Sequence, residues 1–269
     1  MMRKILLIFI LFPLITFAKA NTVVYDVTNN IVVDGSLTSH EVSIASISKL
    51  MTIYTVLYAQ QNLEEKITVT GNKLNLTKLT KGMTLTRLEL VNMALISSDN
   101  LAAQTLAENY PGGLTMFITA MNRHTKSLGM FHTGFVEPTG LSPMNYSTTG
   151  DIIQLTKAVS TYTVVQQAAQ VHNIITNPEM ASKKKKNKKK SIKEPKRKSG
   201  TIVNHPTSRY FGYDGMLAIK TGFTKAAGYC ITMLVESNNK VYNIVVLGAK
   251  TKQERELLIR RSLDKIYNA

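Results

Sequence analysis

The sequence predicts an α+β fold, in which an antiparallel sheet is flanked by helices and accompanied by a helical subdomain. Strand-like runs occur near both ends of the chain, whereas helical patterns fill its middle and close it. Strands and helices do not alternate one by one, which argues against a parallel βαβ sheet. With 269 residues, 44% of them hydrophobic, the chain can bury one large core or two small ones.

The elements follow from local patterns. Two β-rich runs at 22–27 and 31–34, separated by Thr28-Asn29-Asn30, predict a hairpin. Apolar residues at helical spacing predict a helix over 46–59. Further helices are predicted at 87–96, 101–108, 114–128, 151–159 and 251–267, and further strands at 216–220, 229–235 and 241–247. No internal repeat is visible.

The N-terminus has the pattern of a cleavable secretory signal. Arg3 and Lys4 precede an apolar run over 5–17, and Ala18-Lys19-Ala20 follows it. Residues 1–20 are therefore predicted to be removed and to lie outside the core, which leaves 21–269 as a periplasmic or secreted chain. The apolar run is short for a membrane span, although an uncleaved anchor is the alternative.

Cys230 is the only cysteine, so no intramolecular disulfide can form. It lies in an apolar strand-like run, which predicts a buried, inert thiol.

Most of the net charge of +16 comes from one segment. Residues 183–198 contain eleven Lys or Arg and one Glu. This composition predicts a disordered insert at 181–200. It is either a solvated insertion or an electrostatic contact to an anionic wall or membrane surface. Because export is predicted, no nucleic-acid partner is expected.

Three short motifs follow one another along the chain: Ser46-Ile47-Ser48-Lys49, Ser98-Asp99-Asn100 and Lys220-Thr221-Gly222. The S-x-x-K pattern recurs at 182–185, 237–240 and 262–265. Only the first copy precedes both other motifs and opens an amphipathic helix.

The first motif pairs a nucleophile with a base. A serine hydroxyl needs a base to become nucleophilic, and Lys49 at i+3 shares a helix face with Ser46. Lysine acts as a base only when neutral, which requires burial, a nearby positive charge or a helix N-terminus to lower its pKa. Taken alone, the motif is better explained by a solvated lysine on a helix.

The other two motifs offer substrate contacts. Ser98 and Asn100 present a hydroxyl and an amide from a helix break, where capping of the next helix is the simpler role. Lys220 and Thr221 can bind a carboxylate, with a plain strand end as the simpler reading.

Gly222 lets a ligand backbone approach. The backbone N–H groups of Ser46 and Phe223 are candidate oxyanion donors.

The histidines show no metal-binding spacing and no Ser-His-Asp set. They are scattered at His40, His124, His132, His172 and His205. We therefore predict no metal and no cofactor.

The ordered motif set is typical of serine β-lactamases and penicillin-binding proteins. The chain resembles the low-molecular-mass penicillin-binding proteins, the serine D-Ala-D-Ala peptidases, and within them the endopeptidase subgroup typified by penicillin-binding protein 7. The resemblance spans residues 22–267 apart from the insert. It is carried by ASISKLMT at 45–52, SSDNLAAQTLAENY at 97–110, PGG at 111–113, VEPTGLS at 136–142 and KTGFTKAAG at 220–228.

This resemblance implies a β-lactamase/transpeptidase-like fold and a catalytic domain over 21–269. It also implies that the enzyme cleaves peptidoglycan peptides after a D-alanine through an acyl-enzyme, and that β-lactams acylate the same serine. The implied roles are nucleophile for Ser46, base for Lys49, proton relay for Ser98, acyl-chain orientation for Asn100, and carboxylate binding for Lys220 with Thr221.

Family carboxypeptidases usually carry a second β-rich domain and a C-terminal amphipathic helix. The chain ends after one helix beyond the last strand, which favours the endopeptidase subgroup. Two alternatives stay open. One is a β-lactamase with Glu137 in deacylation, and the other is a non-catalytic wall-binding protein that uses the lysine-rich insert.

Overall fold

The computed structural model describes residues 20–71, 74, 77–180 and 201–267. The predicted signal segment, apart from Ala20, and the predicted insert at 181–200 lie outside the described residues.

A five-stranded antiparallel sheet forms the centre of the fold, in the order β10-β11-β12-β1-β2. The strands are β1 (Asn21–Asp26), β2 (Ile31–Gly35), β3 (Val42–Ser43), β4 (Lys66–Thr68), β5 (Met83–Thr86), β6 (Tyr146–Ser147), β7 (Ile174–Thr176), β8 (Glu179–Met180), β9 (Ile202–Asn204), β10 (Met216–Thr224), β11 (Gly228–Ser237) and β12 (Lys240–Ala249). The helices are α1 (Ser48–Tyr58), α2 (Arg87–Ile96), α3 (Asn100–Glu108), α4 (Gly113–Ser127), α5 (Thr149–Ser160), α6 (Thr163–Ala169) and α7 (Lys252–Tyr267).

The sheet joins the two ends of the described chain, because β1 pairs with β12 as well as with β2. At the β11–β12 turn, Asn238 and Asn239 both have left-handed φ angles, of 50° and 58°. Two such residues form the tight turn that matches the twist of antiparallel strands. The predicted α+β class and the hairpins at both ends are confirmed.

The helices pack around α1, whose residues from Ser48 to Leu57 are all buried. Helices α2, α3 and α4 contact α1 on the helical side, while α5 packs both on α1 and on the sheet. Helix α7 covers β11 and β12. Within the described residues, no helix is both long and apolar enough to cross a bilayer.

Three expectations need correction. The helix predicted from residue 46 begins at Ser48 and follows a 3₁₀ turn, Ala45–Ile47, because Ala45 has a φ of 47° outside the helical region. The first twenty residues were predicted to lie outside the core, which is wrong for Ala20: it is buried against the core beside β1. Helix α6 and the short strands β3 to β9 were not predicted.

The predicted buried thiol of Cys230 is confirmed, and burial raises its pKa to about 11.

Candidate active site

Ser46 lies in the 3₁₀ turn that leads into α1, and it is half-buried. Lys49 follows one turn later on the same face, as the i+3 spacing predicts. Its Nζ lies 3.0 Å from the Ser46 Oγ. The hydroxyl and the amine are therefore within hydrogen-bond reach before any rearrangement.

The amine of Lys49 is completely buried and its donors point at fixed acceptors. Nζ donates to Asn100 Oδ1 at 2.7 Å and to the backbone oxygen of Thr139 at 2.6 Å. Burial lowers the pKa of Lys49 to about 7, although the charges of Glu137 and Asp99 counteract the decrease. Close to neutral pH a large share of this amine is uncharged, which is what a base requires.

The second motif forms the turn between α2 and α3. Ser98 has a left-handed φ of 59°, and the carboxylate of Asp99 caps α3 by accepting from Ala102 N at 2.9 Å. The same carboxylate accepts from Thr77 Oγ1 at 2.8 Å. Capping by Ser98 or Asn100 was the simpler reading, but Asp99 caps the helix, and both neighbours accept hydrogen bonds from buried lysines instead.

Lys220 approaches from the sheet, on the edge strand β10, and is also completely buried. Its Nζ donates to Ser98 Oγ at 2.9 Å and to the backbone oxygen of Thr221 at 3.0 Å. Burial and the nearby charge of Lys49 lower the pKa of Lys220 well below its ordinary value. The site thus contains two serine–lysine pairs: Ser46 with Lys49 on the helical side, where Lys49 also binds Asn100, and Ser98 with Lys220, which reaches over from the sheet.

Thr221 and Gly222 complete the sheet wall. The Thr221 hydroxyl donates to Thr207 Oγ1 at 2.7 Å. A Cβ on Gly222 would lie 2.9 Å from the Ile44 oxygen and 3.0 Å from Ser46 N. The absence of a side chain on Gly222 therefore lets the turn that carries the nucleophile pack closely against β10. Its predicted role in admitting a ligand backbone stays a prediction.

Phe223 marks the mouth of the site. Its side chain is 51% exposed and stacks on Tyr229 with ring centroids 4.2 Å apart. From the sequence, only the backbone N–H of Phe223 was a candidate for a role in the site.

Sequence reasoning missed the contributions of Thr139 and Thr207. The carbonyl of Thr139 binds Lys49, and no side-chain motif reveals a backbone acceptor. The VEPTGLS segment was the available signal, because it contains both Thr139 and Glu137. Across the described ranges, no group of three or more His, Cys, Asp or Glu side chains is placed to hold a metal ion.

This geometry is the one expected of a serine enzyme in which a buried lysine of low pKa would serve as the base and a second buried lysine faces it from a sheet edge. The family model described as D-alanyl-D-alanine carboxypeptidase, peptidase family S11, matches residues 14–251. The chain belongs to this family of serine DD-peptidases.

Known proteins agree with that assignment. The chain is 36% identical over 240 residues to the D-alanyl-D-alanine endopeptidase of Escherichia coli, across 86% of this chain and 72% of that protein. It is 34% identical over 218 residues to the D-alanyl-D-alanine endopeptidase of Pseudomonas aeruginosa, across 77% of this chain and 64% of that one. Penicillin-binding protein D2 of Listeria monocytogenes, solved in its ampicillin-bound form, superposes with a TM-score of 0.74 at 27% identity, over 91% of this chain and 96% of that one. The predicted fold is confirmed.

Proposed function

We propose that the protein cleaves the peptide bond after a D-alanine in peptidoglycan peptides and that cross-links are its main substrate. One observation carries the proposal: the buried amine of Lys49, whose pKa is lowered to about 7, lies 3.0 Å from the Ser46 hydroxyl. The two endopeptidase relatives support cross-link cleavage. The supporting chemistry is acyl transfer to serine.

In the first half of the reaction, Ser46 Oγ attacks the carbonyl carbon of the D-alanine while its proton passes to Lys49. The C–N bond then breaks, and the proton held by Lys49 passes to the leaving amine through Ser98, which is hydrogen-bonded to Lys220. Lys49 is thereby neutral again. Asn100 orients the acyl chain. A serine ester remains on the enzyme.

In the second half, water attacks this ester and gives its proton to Lys49. The bond between the acyl carbon and Ser46 Oγ then breaks, and Lys49 returns that proton to Oγ, which restores the hydroxyl and the neutral amine. Lys220 and Thr221 hold the terminal carboxylate of the substrate during the first half, and this carboxylate departs with the leaving amine. The backbone N–H groups of Ser46 and Phe223 stabilise the oxyanion, and Gly222 keeps the two amides close. No metal or other cofactor takes part in these steps.

Covalent labelling tests the nucleophile. The mature chain and Ser46→Ala are incubated with a fluorescent penicillin, a β-lactam expected to acylate the same serine, and run on a denaturing gel. A stable band on the wild type alone is expected. A band on both proteins would place the nucleophile elsewhere, and rapid turnover of a chromogenic cephalosporin would indicate a β-lactamase.

The cleavage type needs a separate comparison. Cross-linked dimeric muropeptides and monomeric pentapeptides are offered to the enzyme, with Ser46→Ala as the inactive control. Preferential loss of the dimer is expected. Release of D-alanine from the pentapeptide at an equal rate would assign a carboxypeptidase instead.

The location of the enzyme and the role of its insert extend the proposal. Cleavage near Ala20 would release the chain into the periplasm or the medium, and the mass of the purified mature protein tests this.

Residues 183–198 would hold the enzyme on an anionic wall or membrane surface through their positive charge. Deletion of these residues should reduce sedimentation with cell walls at low salt, and an unchanged sedimentation would refute the contact.

A further inference from the structure

A carboxylate outside the three motifs organises the loop over residues 137–142. Oε2 of Glu137 accepts from both the amide and the hydroxyl of Thr139, each at 2.6 Å. Oε1 accepts from the amide of Gly140 at 2.6 Å and from that of Ser142 at 3.3 Å. The loop is therefore wound around one side chain, because both oxygens of that side chain are used by the loop itself.

The same loop touches the nucleophile and the base. The carbonyl of Thr139 accepts from Lys49 Nζ at 2.6 Å. Gly140 has a φ of 80°, and a Cβ there would lie 1.9 Å from the backbone oxygen of Ala45. A shift of the loop would consequently displace an acceptor of the base and a contact of the turn that carries the nucleophile.

We propose that Glu137 is a positioning residue for acylation, which fixes the Thr139 carbonyl against Lys49 and places a negative charge beside the base. The inference rests on the proposed function. Three charged groups face Lys49: Glu137 from the loop, Asp99 from the α2–α3 turn and Lys220 from β10. Glu137 and Asp99 raise the pKa of Lys49 against the larger effect of burial. Loss of the Glu137 charge therefore leaves the amine neutral at lower pH.

The bonding of Glu137 also bears on the β-lactamase alternative. A deacylating carboxylate must accept a proton from water, whereas both oxygens of Glu137 already accept from donors of its own loop. Glu137 acts through Lys49 and not on the ester.

The test uses Glu137→Gln and the rate of acylation by a fluorescent penicillin between pH 5.5 and 9. The carboxamide has the same shape but replaces one acceptor oxygen with an NH₂ group that faces other donors, so the loop loses the hydrogen bonds to that oxygen. We expect the rate at pH 8 to fall by about 10²-fold, the cost of a misplaced catalytic group. The acid limb of the pH profile should also move to lower pH.

Two variants separate this role from a purely structural one. The Asp151 carboxylate anchors a neighbouring stretch by accepting from the amide of His132 at 2.9 Å and the hydroxyl of Thr133 at 2.7 Å. Asp151→Asn should lower Tm and leave the acid limb in place. Thr52 donates to the oxygen of Pro138 at 2.6 Å, so Thr52→Val loosens the loop without removing charge and should slow acylation with no shift of the limb.

A folded Glu137→Gln protein with an unmoved acid limb, or with a rate within about twofold of wild type, would overturn the proposal. If Glu137→Gln does not fold, Glu137→Asp decides: it keeps the charge but shortens the reach, so a slower rate with a wild-type limb is expected and a wild-type rate would refute the role. Absence of labelling in the wild type would instead refute the proposed function.

Discussion

The two walls of the site each supply one lysine, and the two lysines differ in what surrounds them. Both are completely buried, and each donates to a serine hydroxyl: Lys49 to Ser46 and Lys220 to Ser98. On the helical wall, the carboxylates of Glu137 and Asp99 act on Lys49 and oppose the effect of burial on its pKa. On the sheet wall, Lys220 feels burial and the positive charge of Lys49, which act in the same direction.

This difference supports the roles proposed for the two lysines. The pKa of Lys49 is about 7, so its amine can accept and release a proton near neutral pH, as a base must. Burial and the positive charge of Lys49 both hold the pKa of Lys220 well below its ordinary value. A bound carboxylate would supply the missing negative charge, and Lys220 is therefore suited to binding an anionic substrate group.

The proposed difference between Lys49 and Lys220 is tested most directly by replacing each lysine with an arginine, which remains protonated. Lys49→Arg keeps the positive charge and loses the base. Acylation by penicillin should fall by about 10⁴-fold, the upper range for a general base. The measurement is the second-order rate of labelling, and a rate within tenfold of wild type would show that Lys49 is not the base.

The same replacement on the sheet wall should cost less. Lys220→Arg retains a cation for the substrate carboxylate, although the longer side chain fits the buried position poorly. We expect the second-order rate of labelling by penicillin to fall by about 10²-fold. Most of this loss should come from weaker binding, with the maximal rate unchanged. Equal losses for Lys49→Arg and Lys220→Arg would remove the distinction between the two walls.

A smaller effect concerns stability. The pKa of Lys49 is about 7 in the folded protein and ordinarily 10.5. Between these values the unfolded chain binds a proton that the folded chain does not, so the free energy of unfolding should rise with pH, by about 1.4 kcal/mol per pH unit for one lysine. Lys220 acts in the same direction.

Urea unfolding at pH 7, 8 and 9 measures this slope. Lys49→Met should be folded and should show a shallower slope than wild type, because one buried amine no longer titrates. An identical slope in the variant would mean that Lys49 has an ordinary pKa in the folded state.

Much of this site could be predicted from the sequence because its groups are close in sequence or carried by side chains of distinctive chemistry. The i+3 spacing predicted that the Lys49 amine reaches the Ser46 hydroxyl. The turn-forming residues Ser98-Asp99-Asn100 predicted the break between α2 and α3. The long strands and helices followed from periodicity.

The remainder depends on contacts between distant segments. The Thr139 carbonyl reaches Lys49 across ninety residues, and a backbone oxygen has no sequence signature. The close contact of Gly222 with the Ile44–Ser46 turn likewise depends on the packing of β10 and could not be read from the sequence. Strands of two to four residues, such as β3 and β7, are too short for a period to be visible.

The central claim is that Lys49 is a base whose pKa lies near neutral, because burial lowers it and the carboxylates of Glu137 and Asp99 partly oppose that decrease. The most direct measurement is the pH dependence of wild-type acylation by a fluorescent penicillin, at concentrations below saturation. The account predicts a rate that rises about tenfold per pH unit below pH 7 and levels off above it. A rate that is constant from pH 5.5 to 9 would contradict it, because the group that accepts the Ser46 proton would then not titrate in this range.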